Sequence, residues 1–244
     1  MHGCCGHMGQ VISDLVAKDA NAEIVAGIDV TDKGNTTYPV FTNIKECQTE
    51  ADVLIDFSSA KAADALLDYC TERNLPVVLC TTGLSEEQLA KVEETAKKIP
   101  VLKSANMSLG INTLMKLIQE AAKVLATAGF DMEIVEKHHH LKLDAPSGTA
   151  ITLAEGILEN MERKSVWVKE EAHATNELPI HSIREGEVFG IHTIRYDSEA
   201  DSISITHDAK NRGGFALGAV LAAEYTAAHE GYLGMSDLFP FLKD

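Results

Sequence analysis

The residues best suited to chemistry lie between positions 136 and 149. Positions 137–142 hold three imidazoles and two ammonium groups, in a chain whose formal charge is −16. Such a cluster predicts an anion-binding site, and a histidine or lysine within it could also transfer a proton near neutral pH. A solvated charged loop would have the same composition, so both interpretations stay open on these residues alone.

A helix start follows this cluster directly. Pro146-Ser147-Gly148-Thr149 precedes apolar residues at helical spacing, and proline suits the opening turn of a helix. The N–H groups near Ser147, Gly148 and Thr149 would then form a cradle for an anion. Together with the neighbouring cations, this cradle suits a ligand that carries carboxylates.

Three consecutive histidines also raise the question of a metal site. His138, His139 and His140 are all potential ligands. Adjacent residues on a strand point to opposite faces, however, so the three cannot all reach one ion. Because no HExxH spacing or cysteine pair accompanies them, we expect no metal.

A second candidate site opens the chain. The loop Gly3-Cys4-Cys5-Gly6-His7-Met8-Gly9 has the pattern G-x-x-G-x-x-G and runs into an amphipathic helix, whose N-terminus would favour a pyrophosphate. Asp29, twenty residues after Gly9, ends the next apolar run, where its carboxylate could accept hydrogen bonds from a ribose diol. The pattern predicts nucleotide binding; an ordinary tight strand–turn–helix junction is the alternative.

The strand that should precede this loop is nearly absent, since only Met1 and His2 stand before Gly3. The first strand is central in a doubly wound sheet, and its neighbours would be left with unpaired backbone groups. Each buried group would cost roughly 1–3 kcal/mol. We therefore expect the chain to be shortened at its N-terminus relative to the functional protein.

The order of the remaining elements predicts an α/β fold with two domains. Apolar runs at 23–29, 52–57, 76–80 and 100–102 alternate with helical patterns, which indicates a Rossmann-like, doubly wound parallel sheet covered on both faces. Ser85 to Gln88 has the form of a capping box. Beyond about residue 107 two helices and several strands without helices between them indicate an α+β domain with an open mixed sheet. We assign 1–107 plus 217–244 to the dinucleotide-binding domain and 108–216 to a substrate-binding and oligomerisation domain.

Composition narrows the class of protein. The 244 residues include 37 acidic and 21 basic side chains, so a polyanion such as nucleic acid, or an anionic membrane, would be repelled. No run approaches the roughly 20 apolar residues that span a bilayer. Five cysteines without paired spacing indicate reduced thiols and a cytoplasmic location.

Over nearly its whole length the chain resembles the 4-hydroxy-tetrahydrodipicolinate reductases of bacterial diaminopimelate and lysine synthesis. The most specific part is the run from His138 to Ala150, HHHLKLDAPSGTA, which looks like the family's catalytic motif. The glycine loop, which many enzymes share, is less specific. Further similar segments are Cys80-Thr81-Thr82-Gly83, Ser104-Ala105-Asn106-Met107-Ser108, His181-Ser182-Ile183-Arg184 and Asn211-Arg212-Gly213-Gly214-Phe215-Ala216.

The resemblance implies transfer of a hydride from NADH or NADPH to a cyclic dicarboxylate, with loss of water. It implies that His138 is a general acid/base, that Lys142 donates a proton, and that His139, Ser147, Gly148 and Thr149 hold the substrate carboxylates. Homotetramers are also implied. The implied cofactor-binding residues are Gly3, Cys4, Cys5, Gly6, His7, Met8, Asp29, Cys80, Thr81, Thr82, Ser104, Ala105, Asn106, Met107, Arg212 and Phe215.

Several positions depart from the family's pattern. His7 and Val30 stand where an arginine is common; since both arginines would help to neutralise a 2′-phosphate, NADH is favoured, although Lys33 and His7 could compensate. Cys80 replaces a usual glycine and Met107 a usual phenylalanine. Two other functions remain: an oxidoreductase for a semialdehyde or hydroxy acid, which the HHHLKLDAPSGTA run disfavours, and a non-catalytic nucleotide sensor, which Lys142 disfavours.

Overall fold

The computed structural model describes residues 1–238; residues 239–244, the end of the predicted range 217–244, lie outside the described residues. The chain divides into two compact units, one formed by Met1–Leu109 with the chain from Arg212 onward and one formed by Gly110–Asn211. The predicted domain boundaries lie at 107/108 and 216/217, whereas these units meet at 109/110 and 211/212. Every helix within residues 1–238 is too short or too polar to cross a bilayer.

The strands at Val40–Phe41, Glu177–Arg184 and Tyr232–Leu233 were not predicted, and short 3₁₀ turns lie at Ile44–Glu46 and Ala60–Ala62. In chain order the helices and strands are α1 (His7–Val16), β1 (Gly27–Ile28), β2 (Val40–Phe41), β3 (Leu54–Asp56), α2 (Ala63–Glu72), β4 (Val77–Leu79), α3 (Glu86–Ala96), β5 (Val101–Lys103), α4 (Leu109–Leu125), β6 (Asp131–His138), α5 (Gly148–Leu158), β7 (Val166–Lys169), β8 (Glu177–Arg184), β9 (Gly190–Asp197), β10 (Ser202–Ala209), α6 (Gly213–Ala227), β11 (Tyr232–Leu233) and α7 (Met235–Leu238).

The first unit contains the predicted parallel sheet. β1 pairs with β2, and β3, β4, β5 and β11 form a second ladder. His2 forms parallel bridges to Ile28 and to Asp56, and so joins the two ladders. Met1 and His2 therefore occupy the position of the central first strand in the doubly wound order.

The two strands beside Met1 are shorter than predicted. The apolar runs at 23–29 and 52–57 pair only at Gly27–Ile28 and Leu54–Asp56. A ladder needs a partner on the next strand, and pairing with Met1 and His2 reaches only the carboxyl ends of these runs. The sequence analysis also missed β11, a two-residue strand that extends the sheet beside β5.

Short-range sequence patterns predicted the helices of this unit more accurately than its strands. In α1, Gly9, Ile12 and Val16 face the core. The capping box of α3 is confirmed, because Ser85 Oγ accepts from the Gln88 N–H at 3.2 Å and Gln88 Oε1 accepts from the Ser85 N–H at 3.1 Å. Ser59 makes no side-chain cap and precedes the 3₁₀ turn that leads into α2.

The second unit contains the predicted open mixed sheet, and its strand order is β10-β9-β6-β8-β7. β6 runs antiparallel to β9 and parallel to β8. Residues of β6 alternate between buried and partly exposed, and its buried side chains share one core with α4 and α5. The buried Tyr196 hydroxyl donates to the Ile118 carbonyl at 2.8 Å and so connects β9 to α4.

β8, an interior strand between β6 and β7, was not predicted. It contains Pro179, and proline cannot donate to a ladder. The structure places Pro179 opposite Val168 of β7, whereas pairing between β8 and β6 begins one residue later, at Ile180. The proline therefore lies before the ladder that joins β8 to β6.

A close backbone contact provides a test of how α6 packs within the first unit. A methyl group at Gly218 would lie 1.8 Å from the Met107 carbonyl oxygen, so Gly218→Ala must displace the helix. We expect it to lower the free energy of unfolding by about 2 kcal/mol or more, measured from the midpoint of urea denaturation. Gly214→Ala, whose new methyl group would be 4.0 Å from Ser108 Oγ, is the matched control and should change stability by less than about 1 kcal/mol. Equal midpoints for the two variants would contradict this packing.

Candidate active site

A fully buried carboxylate, that of Glu136 near the end of β6, organises the second unit's candidate site. Its Oε1 accepts three hydrogen bonds: from the Ser147 N–H at 3.0 Å, from Ser182 Oγ at 2.8 Å and from the Arg184 guanidinium at 3.1 Å. Its Oε2 lies 3.3 Å from His138 Nδ1. One side chain thus connects β6 with β8 and with the start of α5.

The charge of Glu136 is stabilised despite its burial. Desolvation alone would raise the pKa of this carboxyl group, but the close approach of His138 and hydrogen bonds from Ser147, Ser182 and Arg184 outweigh it and hold the pKa well below its usual range. Glu136 is therefore a fixed negative charge at neutral pH. Glu136 begins the segment singled out in the sequence but was given no role there, since its residue type alone does not reveal these partners.

Arg184 is the main link between this carboxylate and the loop after β6. Its guanidinium also donates to the Asp144 carbonyl at 2.5 Å and to the Lys142 carbonyl at 3.3 Å. The sequence left open whether Arg184 binds an external anion, and the structure shows a guanidinium engaged by protein groups. The Lys142 ammonium in turn lies 2.8 Å from Asp144 Oδ1, and this contact is the main reason that the pKa of Asp144 is lowered.

The start of α5 differs from the prediction in two ways. Ser147 is the N-cap and Gly148 the first helical residue, so Pro146 lies outside the helix rather than in its opening turn. Ser147 Oγ accepts from the Ala150 N–H at 3.2 Å, and the Ser147 N–H is bonded to Glu136. Ser147 therefore binds an internal carboxylate. Gly148, the next residue, is exposed at the N-terminus of α5.

His138 lies against a second histidine, His192 of β9, which the sequence analysis treated as a bystander. Both imidazoles are buried, and their ring centroids are 5.1 Å apart in an edge-on arrangement. Burial is the main cause that lowers the pKa of His192 to about 3, and the neighbouring His138 lowers it further. A Cβ at Gly190 would lie 3.0 Å from His138 Nε2, so Gly190 leaves room for this ring.

The three consecutive histidines separate, as predicted. His138 is buried, His139 is half-buried and His140 is exposed, with its Nδ1 2.9 Å from the Gly186 carbonyl oxygen. Glu136, His138 and His192 together offer ligand atoms within 4.8 Å of one another, a set that could in principle hold a metal ion. Arg184 already places a positive charge on Glu136, which disfavours a second cation there.

In the first unit the glycine loop is shaped by close backbone contacts. Gly3 has a φ of +78°, and a Cβ there would lie 2.5 Å from the Phe57 carbonyl oxygen. A Cβ at Gly9 would lie 2.3 Å from the Gly3 carbonyl oxygen. Gly6 caps α1 without a side-chain hydrogen bond, and the first turn has no acidic residue. A loop of this shape leaves the positive end of α1 open to an anion.

Asp29 lies beside this loop, as its spacing predicted. Its Oδ2 accepts from the Cys5 N–H at 2.9 Å, and the Lys33 ammonium donates to the Cys5 carbonyl at 2.7 Å. The loop, Asp29 and Lys33 are thus one connected group within the first unit. His7 and Val30 are both exposed.

The other predicted cofactor residues follow the carboxyl ends of β4 and β5 or begin α6. Thr81 donates to the buried Asp56 at 2.6 Å, and Thr82 is exposed. The side chains of Cys80 and Met107 lie in the core, so any contact with a cofactor would fall to their backbone. Ser104 and Asn106 close a turn around Ala105, Arg212 caps α6, and Phe215 lies in its first turn.

Matches to family models show the family to which the chain belongs. Residues 1–107 match the model described as dihydrodipicolinate reductase, N-terminus, and residues 110–239 match the model for its C-terminus. The chain belongs to the dihydrodipicolinate reductase family. This membership confirms the resemblance and decides against an oxidoreductase for semialdehydes or hydroxy acids.

Individual members of the family are similar over nearly the full length. A protein of Caldanaerobacter subterraneus subsp. tengcongensis named 4-hydroxy-tetrahydrodipicolinate reductase is 44% identical, with 98% of this chain and 96% of that chain covered. A Clostridium novyi protein of the same name is 42% identical, with the same coverage. The solved structure of a dipicolinate-bound dihydrodipicolinate reductase from Paenisporosarcina has a TM-score of 0.82 and 26% identity, covering 96% of this chain and 95% of that one.

The buried side chains of His192 and Glu136 predict how the stability of this family member depends on pH. The folded protein holds His192 neutral to a pKa of about 3, whereas an unfolded histidine takes up a proton near 6.5. Stability present above pH 6.5 is therefore lost as the pH falls, by up to about 1.4 kcal/mol per unit. The lowered pKa of Glu136 acts in the same direction but only below its ordinary range near 4.5.

We expect His192→Gln to reduce the loss of unfolding free energy between pH 7 and pH 5 by about 1–2 kcal/mol. Urea denaturation at closely spaced pH values measures this slope. The exposed His173 gives a matched control, and His173→Gln should leave the slope unchanged. If His192→Gln kept the full slope, the imidazole would not be held neutral in the folded state.

Proposed function

We propose that this chain reduces 4-hydroxy-tetrahydrodipicolinate to tetrahydrodipicolinate with a reduced nicotinamide dinucleotide, in diaminopimelate and lysine biosynthesis. The observation that carries the proposal is the cluster of Lys142, Asp144 and the start of α5, which sits within the HHHLKLDAPSGTA motif. Support also comes from the names of the relatives and from the dipicolinate-bound Paenisporosarcina structure. Dipicolinate is a cyclic dicarboxylate, as the proposed substrate is.

In this proposal Lys142 donates the proton that the reduced substrate needs. Its ammonium is about one-quarter exposed and is held by Asp144, so it is both positioned and accessible. An ammonium group close to the reacting atoms also stabilises negative charge that develops when a hydride adds to carbon. His138 stands at the family's general acid/base position, and its Nδ1 lies 3.3 Å from Glu136 Oε2.

The carboxylates of the substrate would be held by groups that are exposed or half-buried at the surface of the second unit. His139 is half-buried, Gly148 is exposed and Thr149 is half-buried at the helix start. Ser147 contributes indirectly, because its polar groups cap α5 and bind Glu136. We therefore assign carboxylate binding to His139, Gly148 and Thr149, with Ser147 fixing the position of the latter two.

The glycine loop fits a dinucleotide. Its glycines stand where a Cβ would strike backbone, and the open end of α1 suits a pyrophosphate. Asp29, fixed by the Cys5 N–H through Oδ2, would accept from the adenosine ribose with its other oxygen. The bound dinucleotide supplies the hydride, and the protein supplies its placement.

We propose that NADH is preferred over NADPH. A ribose 2′-phosphate would meet the Asp29 carboxylate, while Val30, where an arginine would help, is 89% exposed and uncharged. Lys33 is bonded to the Cys5 carbonyl and so acts on the loop. We therefore expect kcat/KM to be larger with NADH than with NADPH.

Val30→Arg tests this preference, because it adds a cation at an exposed position without disturbing the core. We expect it to raise kcat/KM for NADPH several-fold with little effect on NADH. Val30→Gln, which adds length without charge, should leave both values near those of the parent. A parent enzyme with the larger kcat/KM for NADPH would refute the proposed preference.

The central experiment is Lys142→Ala, assayed with freshly generated substrate. Loss of a proton donor should lower kcat by about 10²- to 10⁴-fold, while the affinity for NADH barely changes. Lys137→Ala is the matched control: this lysine is in the same segment but pairs with Glu185 at 2.6 Å, and its loss should leave most of the turnover. If Lys142→Ala kept most of its turnover, Lys142 would have no part in proton transfer. A parent chain that bound NADH but reduced no substrate would instead be a nucleotide sensor.

We further propose a cytoplasmic homotetramer. All five cysteines are free thiols, as in a reducing compartment. β10 is an edge strand with its Ile203 side chain 41% exposed, and edge strands of this kind favour pairing between subunits. Light scattering at micromolar concentration should give the mass of four chains; a monomer would refute the tetramer.

A further inference from the structure

Cys4 and Cys5 form a close pair of thiols in the glycine loop. Their Sγ atoms are 3.8 Å apart, and both side chains are buried. Adjacent residues on a strand would point to opposite faces, but these two lie in a turn that begins at Gly3, whose φ is +78°. The turn therefore brings together two sulfurs for which the sequence shows none of the usual paired spacings.

A carboxylate completes this group. The two Sγ atoms and a carboxylate oxygen of Asp29 all lie within 4.8 Å of one another. Asp29 is kept in place by the Cys5 N–H, which donates to its Oδ2 at 2.9 Å, so the other carboxylate oxygen keeps its lone pairs. Two sulfurs and one oxygen are a donor set that suits a thiophilic metal ion.

The separation of the two sulfurs fits tetrahedral coordination. Zinc binds cysteine sulfur at about 2.3 Å, and a tetrahedral angle then places two such sulfurs about 3.8 Å apart. Cys4 and Cys5 already have this separation in the folded chain, so an ion could bind without a large movement of the loop. The half-buried Asp29 would be the third ligand, which leaves a fourth position for water.

The charges around this group also allow a divalent cation. Within residues 1–238 no basic side chain pairs with Asp29, whereas Glu136, in the other set of potential ligands, already pairs with Arg184. The Lys33 ammonium donates to the Cys5 carbonyl on the same loop. Two thiolates, one carboxylate, a divalent ion and this ammonium together carry no net charge, so an occupied loop would not accumulate charge.

We propose that Cys4, Cys5 and Asp29 form a binding site for a thiophilic divalent ion such as Zn²⁺, and that this ion and a dinucleotide exclude each other. The exclusion rests on the proposed function, in which the second oxygen of Asp29 accepts from the adenosine ribose. Asp29 would have to serve both ligands with the same oxygen. The metal site itself is independent of the enzymatic activity.

Each bound ion would replace the protons of two thiols. Burial raises the pKa of the Cys4 thiol to about 12, so this thiol is protonated in the free protein. Coordination forms two metal–sulfur bonds while two S–H bonds break, and both protons pass to the solvent. The affinity should therefore rise about 100-fold per pH unit while both thiols are protonated.

The charged groups beside the thiols are Asp29, Lys33 and the Met1 amino group, and Tyr38 also lies close to them. Burial lowers the pKa of the Met1 amino group to about 6 and raises that of Tyr38. Neither group titrates between pH 7 and pH 8, so the rise in affinity over this interval reports the thiols.

The test titrates Cd²⁺, a spectroscopic analogue of Zn²⁺, into the full chain kept reduced with a phosphine. We expect an ultraviolet thiolate-to-cadmium band that saturates at one ion per chain, with release of two protons. Cys4→Ala and Cys5→Ala should each lower the affinity by about 100-fold or more. Cys70→Ala removes an equally buried single thiol, and this matched control should leave the band and the affinity unchanged.

The proton count and the pH dependence are measured on the unaltered chain, so they do not depend on how the variants fold. No band with Cd²⁺ in excess, or a band formed without release of protons, would overturn the site. A band that kept its full strength in both Cys4→Ala and Cys5→Ala would place the ion elsewhere and would also overturn it.

The fluorescence of bound NADH tests the exclusion. A saturating concentration of Zn²⁺ should lower the affinity of the unaltered chain for NADH by about tenfold or more. Mg²⁺, which does not favour thiolates, should leave it unchanged, and Cys4→Ala should abolish the effect of Zn²⁺. Unchanged NADH affinity in the presence of bound Zn²⁺ would overturn the exclusion. A chain that bound no NADH even without metal would instead contradict the proposed function, and the Cd²⁺ titration would still decide the metal site.

Discussion

The second unit is organised around one constraint: a carboxylate without solvent contact must be compensated by nearby donors. The buried Glu136 carboxylate is compensated by hydrogen bonds from Ser147, Ser182 and Arg184. Its donors come from β8 and from the start of α5, so compensation of one charge also fixes two neighbouring elements. Removing a single donor would leave a buried charge partly unpaired, which is far more destabilising than losing an average hydrogen bond. Glu136 therefore acts on the candidate site through the residues that it positions.

Sequence patterns predicted those parts of the fold that depend on neighbours in the chain. Apolar spacing located α1 and the long helix α4, the Ser85 capping box was correct, and the glycine loop was found by its spacing. The strand alternation of β10 also agreed with its half-solvated position. In each case the physical cause lies within a few residues, so a short window of sequence contains the information.

What the sequence could not predict depends on pairs that are distant along the chain. Glu136 and Arg184 are 48 residues apart, and nothing in either residue type identifies the other as its partner. The same holds for His192, whose burial beside His138 follows from the pairing of β6 with β9. β8 was not predicted, and only the register shows that Pro179, which cannot donate to a ladder, precedes the pairing with β6. Local rules were thus overruled by contacts that tertiary structure creates.

Charges of alternating sign extend from the buried carboxylate to the surface of the second unit. Glu136 holds the Arg184 guanidinium, Arg184 holds the backbone of the loop at Asp144, and Asp144 holds the Lys142 ammonium. The two acids and two bases balance, so these four groups add no net charge that would attract a doubly negative substrate. In the proposed function, attraction would come from the helix start at Gly148 and from the half-buried His139, while Lys142 is the outermost cation of the series. Substrate binding and proton donation would then fall to different groups.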